Sequence, residues 1–535
     1  MLITTAFLGL CAALSGANAH TTSIDKRQNV PRMVFAHFMI GIVSDRRSSA
    51  DYDADMIRAK SYGIDAFALN IGVDSYTDQQ LGYAYDSAAA NGMKVFISYD
   101  FNWWNPNNAA GIGKHLAGYA SRSAQLRIDG AALVSSFAGD GLDVPTLRSS
   151  AGTPIFFVPN FHPGQGNFNS INGALSWAAW PSNGDNKAPT SASSVSVADG
   201  DRAYRNALGG SKVYMAPVSP WFFTHYGPEV SYSKNWVFPS DLLWFQRWNE
   251  NLALGPPLVE IVTWNDYGES HYVAPLSSKH TDDGNSKWVS DMPHDAWLDM
   301  AKPFIAAYKA GASSPNRYIT QDQIIYWYRP TLSSLNCDST DTTAGRPANN
   351  ASGNYFEGRP NGWQTMQDAV FVVTLLTQPG TLTVTSGNQK RTFNAPAGAA
   401  SFSVPMAVGR QSFALGRSGK NILAANSLRD ISNVCPCGLY NFNAFTGRVP
   451  PTFVDQLGPD GLSGLTSGLR VSSCSPTPSL ATSAPPYTAL VARATNLALS
   501  ASSTITTIPT QALSASASAT PTVLHKRRNV HHVDS

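Results

Sequence analysis

The chain has 535 residues, more than one hydrophobic core organises, so two domains with terminal extensions are expected. Charged residues make up only 14%, the net charge is +2, and the basic residues are scattered. No Lys/Arg stripe is present to track a phosphate backbone, and no segment is long and apolar enough to span a bilayer; nucleic acid and membrane are set aside as partners.

Met1 to Gly16 holds the apolar run Leu2 to Leu14, and Ala17-Asn18-Ala19 follows as a small-residue cleavage site, so residues 1–19 read as a signal peptide. Lys26-Arg27 suits a second, kexin-like cut, making 20–27 a propeptide and leaving Gln28 near the mature start. The rival reading of that pair is a solvated lead-in. A secreted protein, extracellular or wall-associated, is expected.

From about Val30 to Ala310 the pattern is strand, turn, helix, repeated. The strands are short, apolar and nearly continuous, as parallel strands buried on both faces should be. They are Met33–Phe38, Asp65–Ile71, Lys94–Tyr99, Ala132–Phe137, Pro154–Val158, Ala174–Trp180, Lys212–Val218 and Val259–Trp264. Helices are expected over Asp53–Tyr62, Gln79–Asn91, Ser240–Leu254 and His294–Ala310. Eight such units in under three hundred residues have the size of a (β/α)8 TIM barrel, assigned to residues 28–315. A doubly wound sheet is disfavoured, because no glycine-rich phosphate loop follows the first strand.

Residues 316–474 change character. Tyr326-Trp327-Tyr328, Val370–Leu376, Thr381–Thr385, Arg391–Phe393, Ser401–Val404 and Ser412–Leu415 are short strands between Pro and Gly turns, which predicts an antiparallel β-sandwich. Residues 475–535 are rich in Ser, Thr, Ala and Pro and read as a disordered, O-glycosylated tail. Asn350-Ala351-Ser352 is an N-glycosylation acceptor. Cys11 leaves with the signal peptide; Cys337, Cys435, Cys437 and Cys474 remain, an even number suited to an oxidising compartment. A bond between Cys435 and Cys437 would close a very tight ring, so each is expected to reach Cys337 or Cys474, with the connectivity open.

In a barrel the loops after the strands form the active face. Those positions hold Asp100, Asn102 and Trp103 after strand three, Asp140 after four, Asn160 and His162 after five, Trp180 after six and Trp221 after seven. Strand eight is followed by Trp264, Asn265, Asp266, Tyr267, Gly268 and Glu269, and His37 ends strand one. Carboxylates, amides, histidine and aromatics in one ring are the chemistry of a sugar cleft. Glycosidic hydrolysis needs a protonated acid on the leaving oxygen and a second carboxylate. Asp266 and Glu269 are the first choice for that pair; Asp100 and Asp140 are the second. Glu260, inside strand eight, reads as a barrel-interior residue satisfied by neighbours. No His-X-His or His-Glu-X-X-His spacing occurs, so neither a metal nor another cofactor is expected.

Val34 to Gly41, Gly63 to Asn70, Tyr99-Asp100-Phe101 and Thr263 to Ser270 closely resemble the fungal α-1,3-glucanases, or mutanases, of glycoside hydrolase family 71. Cys435-Pro436-Cys437-Gly438-Leu439-Tyr440-Asn441-Phe442 resembles the end of their β-rich region, and the likeness runs from about Val30 to Ala444. It implies endo-acting, metal-free hydrolysis of α-1,3-glucan with inversion, with Asp266 and Glu269 matching the family's acidic loop. Glu269 is assigned as acid and Asp266 as base, and inversion asks for roughly 6.5–9.5 Å between them. A monomer is expected. The rivals are a wall-glucan-binding protein without activity and a hydrolase of another α-linked glycan such as mannan.

Overall fold

The computed structural model describes residues 30–184, 186–227, 234–281, 284, 286–341 and 358–451. The expected signal peptide, the Lys26-Arg27 site, Asn350, Cys474 and the C-terminal tail lie outside them.

Eight parallel strands form one curled sheet: β1 (Met33–Met39), β2 (Ala66–Ile71), β3 (Lys94–Asp100), β4 (Ala131–Phe137), β5 (Ile155–Pro159), β6 (Gly173–Leu175), β7 (Val213–Val218) and β8 (Leu258–Ile261). Their order is β5-β4-β3-β2-β1-β8-β7-β6, so the last strand in sequence pairs with the first. Nearly every residue in these strands is buried, because helices cover one face and the sheet's own curl encloses the other. Among the described residues no ladder joins β5 to β6. Asn172 bridges them instead: its amide donates to the Phe157 carbonyl and its side-chain oxygen accepts from the Phe157 N–H, both at 2.9 Å.

Helices Ala50–Ser61, Thr77–Ala90, Ala109–Ala120, Val144–Ala151, Val197–Leu208, Leu243–Leu254 and Ala296–Lys309 follow the strands. The fifth shows how local chemistry sets the bounds: Ser196 and Asp199 form a capping box at its start, and Gly209 ends it in the left-handed region. Three expectations need correction. Only a 3-10 turn, Phe168–Ser170, fills the gap between β5 and β6, so the strand–helix repeat is not eightfold. The sixth strand stops at Leu175, because the Ser176 hydroxyl accepts from the Ala178 amide and bends the chain out of the sheet. The eighth stops at Ile261, because Thr263 and Trp264 turn to bond the His271 and His37 carbonyls.

The C-terminal region is two four-stranded antiparallel sheets. One runs Gly398–Pro405, Ala369–Leu376, Gln323–Tyr328, Phe445–Val449; the other runs Gln389–Ala395, Gly380–Ser386, Gln411–Arg417, Lys420–Asn426. The two central strands of the first, Ala369–Leu376 and Gln323–Tyr328, are buried on both faces. Ile324, Tyr326, Val370 and Val372 share a core with Leu382, Val384 and Phe413 of the second sheet. Ile325, Trp327, Phe371 and Val373, one residue out of phase, join the core around the parallel sheet. That double burial is why Ala369–Leu376 is apolar throughout while Gly380–Ser386 alternates. Cys337 is bonded to Cys435, and Cys437 is also disulfide-bonded. Among the described residues no helix is long and apolar enough to cross a membrane.

Candidate active site

The segment leaving β8 is almost wholly enclosed. From Leu258 to Leu276 every residue is buried except Asp266 and Glu269, each of which keeps about a fifth of its side chain exposed. The scaffold that does this is polar as well as apolar. Trp264 donates its indole N–H to Asp55 at 3.0 Å, Asn265 bonds the Met39 amide at 2.7 Å, and the Tyr267 hydroxyl donates to the Pro275 carbonyl at 2.7 Å. These three residues, expected to contact ligand, are core groups that hold the loop.

Glu269 is gripped from both sides. The Lys234 ammonium contacts Oε1, and His271 Nε2 lies 2.9 Å from Oε2. His271 is fully buried beside Phe222 and Trp180, and burial lowers its pKa to about 4, so the ring is neutral at higher pH. A neutral ring has one N–H. The Thr263 hydroxyl oxygen accepts from the Asp266 amide at 2.9 Å and lies 3.1 Å from His271 Nδ1, so its own proton can go to Nδ1, leaving Nε2–H for Glu269. Asp266 Oδ1 accepts from the Glu269 amide at 3.0 Å and so caps the turn between the two acids. Gly268 leaves room for the neighbouring ring, since a Cβ there would sit 2.3 Å from the Tyr226 hydroxyl.

Asp100 lies at the end of β3, buried, accepting from the Asn102 amide at 2.9 Å. Burial raises its pKa, opposed by the Asn102 bond, by the His37 and Lys234 charges and by the Asn70 side chain. The charge of Lys234 thus reaches Asp100 as well as Glu269. His37 is buried, with Nδ1 2.7 Å from Glu260 Oε1, its ring against Trp177 at 4.8 Å, and Nε2 without a partner among the described residues. Glu260 is only half satisfied by its neighbours, since Oε2 has no partner among the described residues.

The other expected contacts divide. Trp103 is 63% exposed and Asn102 is exposed, so both stand on the rim. His162 is exposed and tied to Asp140, its amide 2.5 Å from Oδ1 and its Nδ1 2.7 Å from Oδ2. Gly139 makes room for this turn: it has φ +102, and a Cβ would sit 2.3 Å from the Phe101 ring. Trp180, Trp221 and Asn160 are corrections. Trp180 is buried with its indole on the Trp221 carbonyl; Trp221 is fully buried with its indole on the Phe442 carbonyl; Asn160 bonds the Leu175 carbonyl and the Tyr204 hydroxyl. Closing the core around large rings outweighed display on the rim. Sequence reasoning passed over Lys234, His271 and the half-buried Trp177. Lys234 sits in the short strand Lys234–Val237, which pairs with Phe223–Tyr226 as a hairpin; two polar residues followed by two apolar ones carry no alternation to mark it along the chain.

Asp266, Glu269 and His271 each offer a ligand atom, all within 4.8 Å of one another. The Lys234 ammonium already supplies positive charge there and would repel a metal cation.

The sequence profile of glycosyl hydrolase family 71 matches residues 30–458. The chain belongs to that family. A mutanase of Penicillium rubens is 42% identical over 427 residues, covering 78% of this family 71 chain and 89% of its own. The glucan endo-1,3-alpha-glucosidase agn1 of Schizosaccharomyces pombe is 36% identical over 439 residues, covering 78% and 95%. An ascus wall endo-1,3-alpha-glucanase of the same yeast is 28% identical over 460 residues, covering 78% and 97%. Among solved structures, the GH99 endo-alpha-mannosidase from Bacteroides thetaiotaomicron superposes on this glycoside hydrolase with a TM-score of 0.38 at 12% identity, covering 52% of this chain and 98% of that one.

Proposed function

We propose that this family 71 hydrolase is secreted and cleaves α-1,3-glucan within the chain, in remodelling or degradation of fungal walls, with Asp266 and Glu269 at the centre of the reaction. The observation that carries this reading is their placement: two carboxylates left accessible in an otherwise enclosed loop at the strand ends. Naming of its relatives as mutanase and endo-1,3-alpha-glucosidase supports the substrate. Seven parallel ladders, with Asn172 bridging the remaining gap, support a closed barrel of the (β/α)8 kind beneath the site.

The geometry sharpens the chemistry. Oxygens of Asp266 and Glu269 come within 4.8 Å, enough to share one water but short of the roughly 6.5–9.5 Å that an inverting acid and base need around a sugar. Inversion by this pair therefore requires one carboxylate to swing as sugar enters. A second arrangement pairs Glu269 with Asp100 instead. Glu269, facing the ammonium of Lys234, takes a proton from water, and Asp100, whose burial favours the protonated form, donates to the glycosidic oxygen. Asp266 then holds the turn and the water.

The test is hydrolysis of a panel of insoluble polysaccharides, followed by reducing ends and by the anomer first released. Release of inverted products from α-1,3-glucan is expected. Release from α-mannan alone would remove the substrate assignment, and release from none would favour a binding protein. Activated aryl glucosides separate the acids: turnover of these should survive loss of the proton donor, so sparing in Asp100→Asn but not in Glu269→Gln supports the second arrangement.

A further inference from the structure

The hairpin that carries Lys234 is fastened to the accessory region as well as to the active loop. On the active side, the Phe223 amide donates to the Glu269 carbonyl at 3.0 Å, Lys234 contacts the Glu269 carboxylate, and Tyr226, paired with Lys234 across the hairpin, lies against Gly268. These contacts converge on two residues of one loop.

On the other side stands His225, fully buried and paired across the hairpin with Asn235. Its Nε2 lies 2.5 Å from Asp341 Oδ2, and its Nδ1 lies 2.6 Å from Asn235 Oδ1. Asp341 joins the two arms of the Cys337–Cys435 disulfide: its amide donates to the Cys337 carbonyl at 2.7 Å, and its carboxylate accepts from the Tyr440 amide at 2.9 Å. Asn235 adds a bond to the Gly358 carbonyl at 2.7 Å, and its own carbonyl accepts from the Asn361 amide at 3.0 Å. A chain of short bonds runs from the disulfide through Asp341 and His225 to the strand that bears Lys234.

We propose that the accessory region completes the active site, with His225 and Asp341 as positioning residues that set Lys234 and, through it, the Glu269 carboxylate. The proposal rests on the reading of Glu269 as a reacting group. It gives the β-sheets a part in catalysis that needs no glucan contact of their own. A buried carboxylate and imidazole suit that part, because removing either takes a short hydrogen bond from the other in a dry interior and frees the hairpin to shift. A shift of one ångström at a reacting carboxylate is felt in turnover far more than in binding.

The experiment is a double-mutant cycle on the full-length enzyme with a soluble α-1,3-linked gluco-oligosaccharide, with thermal melting to establish folding. Asp341→Ala should lower kcat by about 10–100-fold with KM little changed, and Asp341→Asn, which keeps an acceptor oxygen, should recover part of the loss. In a Lys234→Met background, Asp341→Ala should cost less than about twofold more, since the group it acts through is gone. His225→Gln enters the same cycle if Asp341→Ala fails to fold. Losses that multiply across the cycle, or wild-type kcat in Asp341→Ala, would overturn the proposal and leave the hydrolase reading standing. Full activity in both Lys234→Met and Glu269→Gln would instead remove the reading of Glu269, and the proposal with it.

Discussion

Two parts of the same face are built in opposite ways. From Leu258 to Leu276 the chain is enclosed except at Asp266 and Glu269, with Trp264 donating to Asp55, Tyr267 donating to the Pro275 carbonyl and Asn265 accepting from the Met39 amide. The loops after β3, β4 and β5 are open, and Trp103, Asn102 and His162 are exposed. A group that exchanges protons must be held to a fraction of an ångström, whereas a group that grips a sugar face can adapt. Under the function proposed above, the contrast assigns chemistry and scaffold to the enclosed loop and sugar binding to the open ones.

That separation breaks first at the carboxylates. Glu269→Gln and Asp266→Asn should each lower kcat by about 10²–10⁴-fold with melting unchanged; near-wild-type reducing-end release by either would remove that residue from the reaction. Next come the buried rings. Trp264→Ala and Trp221→Ala should destabilise the fold by about 3–5 kcal/mol, read from urea midpoints, and the protein that still folds should keep its KM. A raised KM with unchanged stability would put those rings back on the rim.

Acid should weaken the enclosed loop in particular. Burial lowers His271 to about 4 and His294 to about 3, below the ordinary 6.5. Between those values and 6.5 the unfolded rings bind protons that the folded rings do not, so stability falls as pH drops through that window. Urea midpoints taken at neutral pH and again in the acid part of that window check the sign, and a midpoint that rises on acidification would contradict it.

The open loops should respond least. Trp103→Ala should raise KM by about 2–10-fold, the worth of one aromatic face at about 0.5–1.5 kcal/mol, with kcat and melting held. The Asp140–His162 pair is partly exposed, so Asp140→Asn should change stability by less than about 1 kcal/mol. A large loss of turnover from Asp140→Asn would mean that the open side also carries chemistry.

Much of this was legible along the chain. Continuous apolar runs marked the parallel strands because a strand buried on both faces admits little else, whereas two acids three apart are common and the resemblance to family 71, more than their spacing, singled out Asp266 and Glu269. The cysteines announced a cross-link without naming the partners. The rim was misjudged where aromatics were concerned: Trp103 and Trp221 both follow a strand beside polar or proline residues, yet one is open and the other sealed. Position after a strand says which face a residue joins, not whether a later segment covers it.

What the sequence alone determined is what local patterning can carry: strand periodicity, helix caps, turn chemistry and the acids of the eighth turn. The tertiary structure decided which of those groups keep solvent. Trp221 is closed off by a carbonyl 221 residues later, Glu269 meets an ammonium 35 residues earlier, and His225 finds its carboxylate 116 residues downstream. Burial and electrostatic pairing depend on distance through space, and no window along the chain contains the partners that set them.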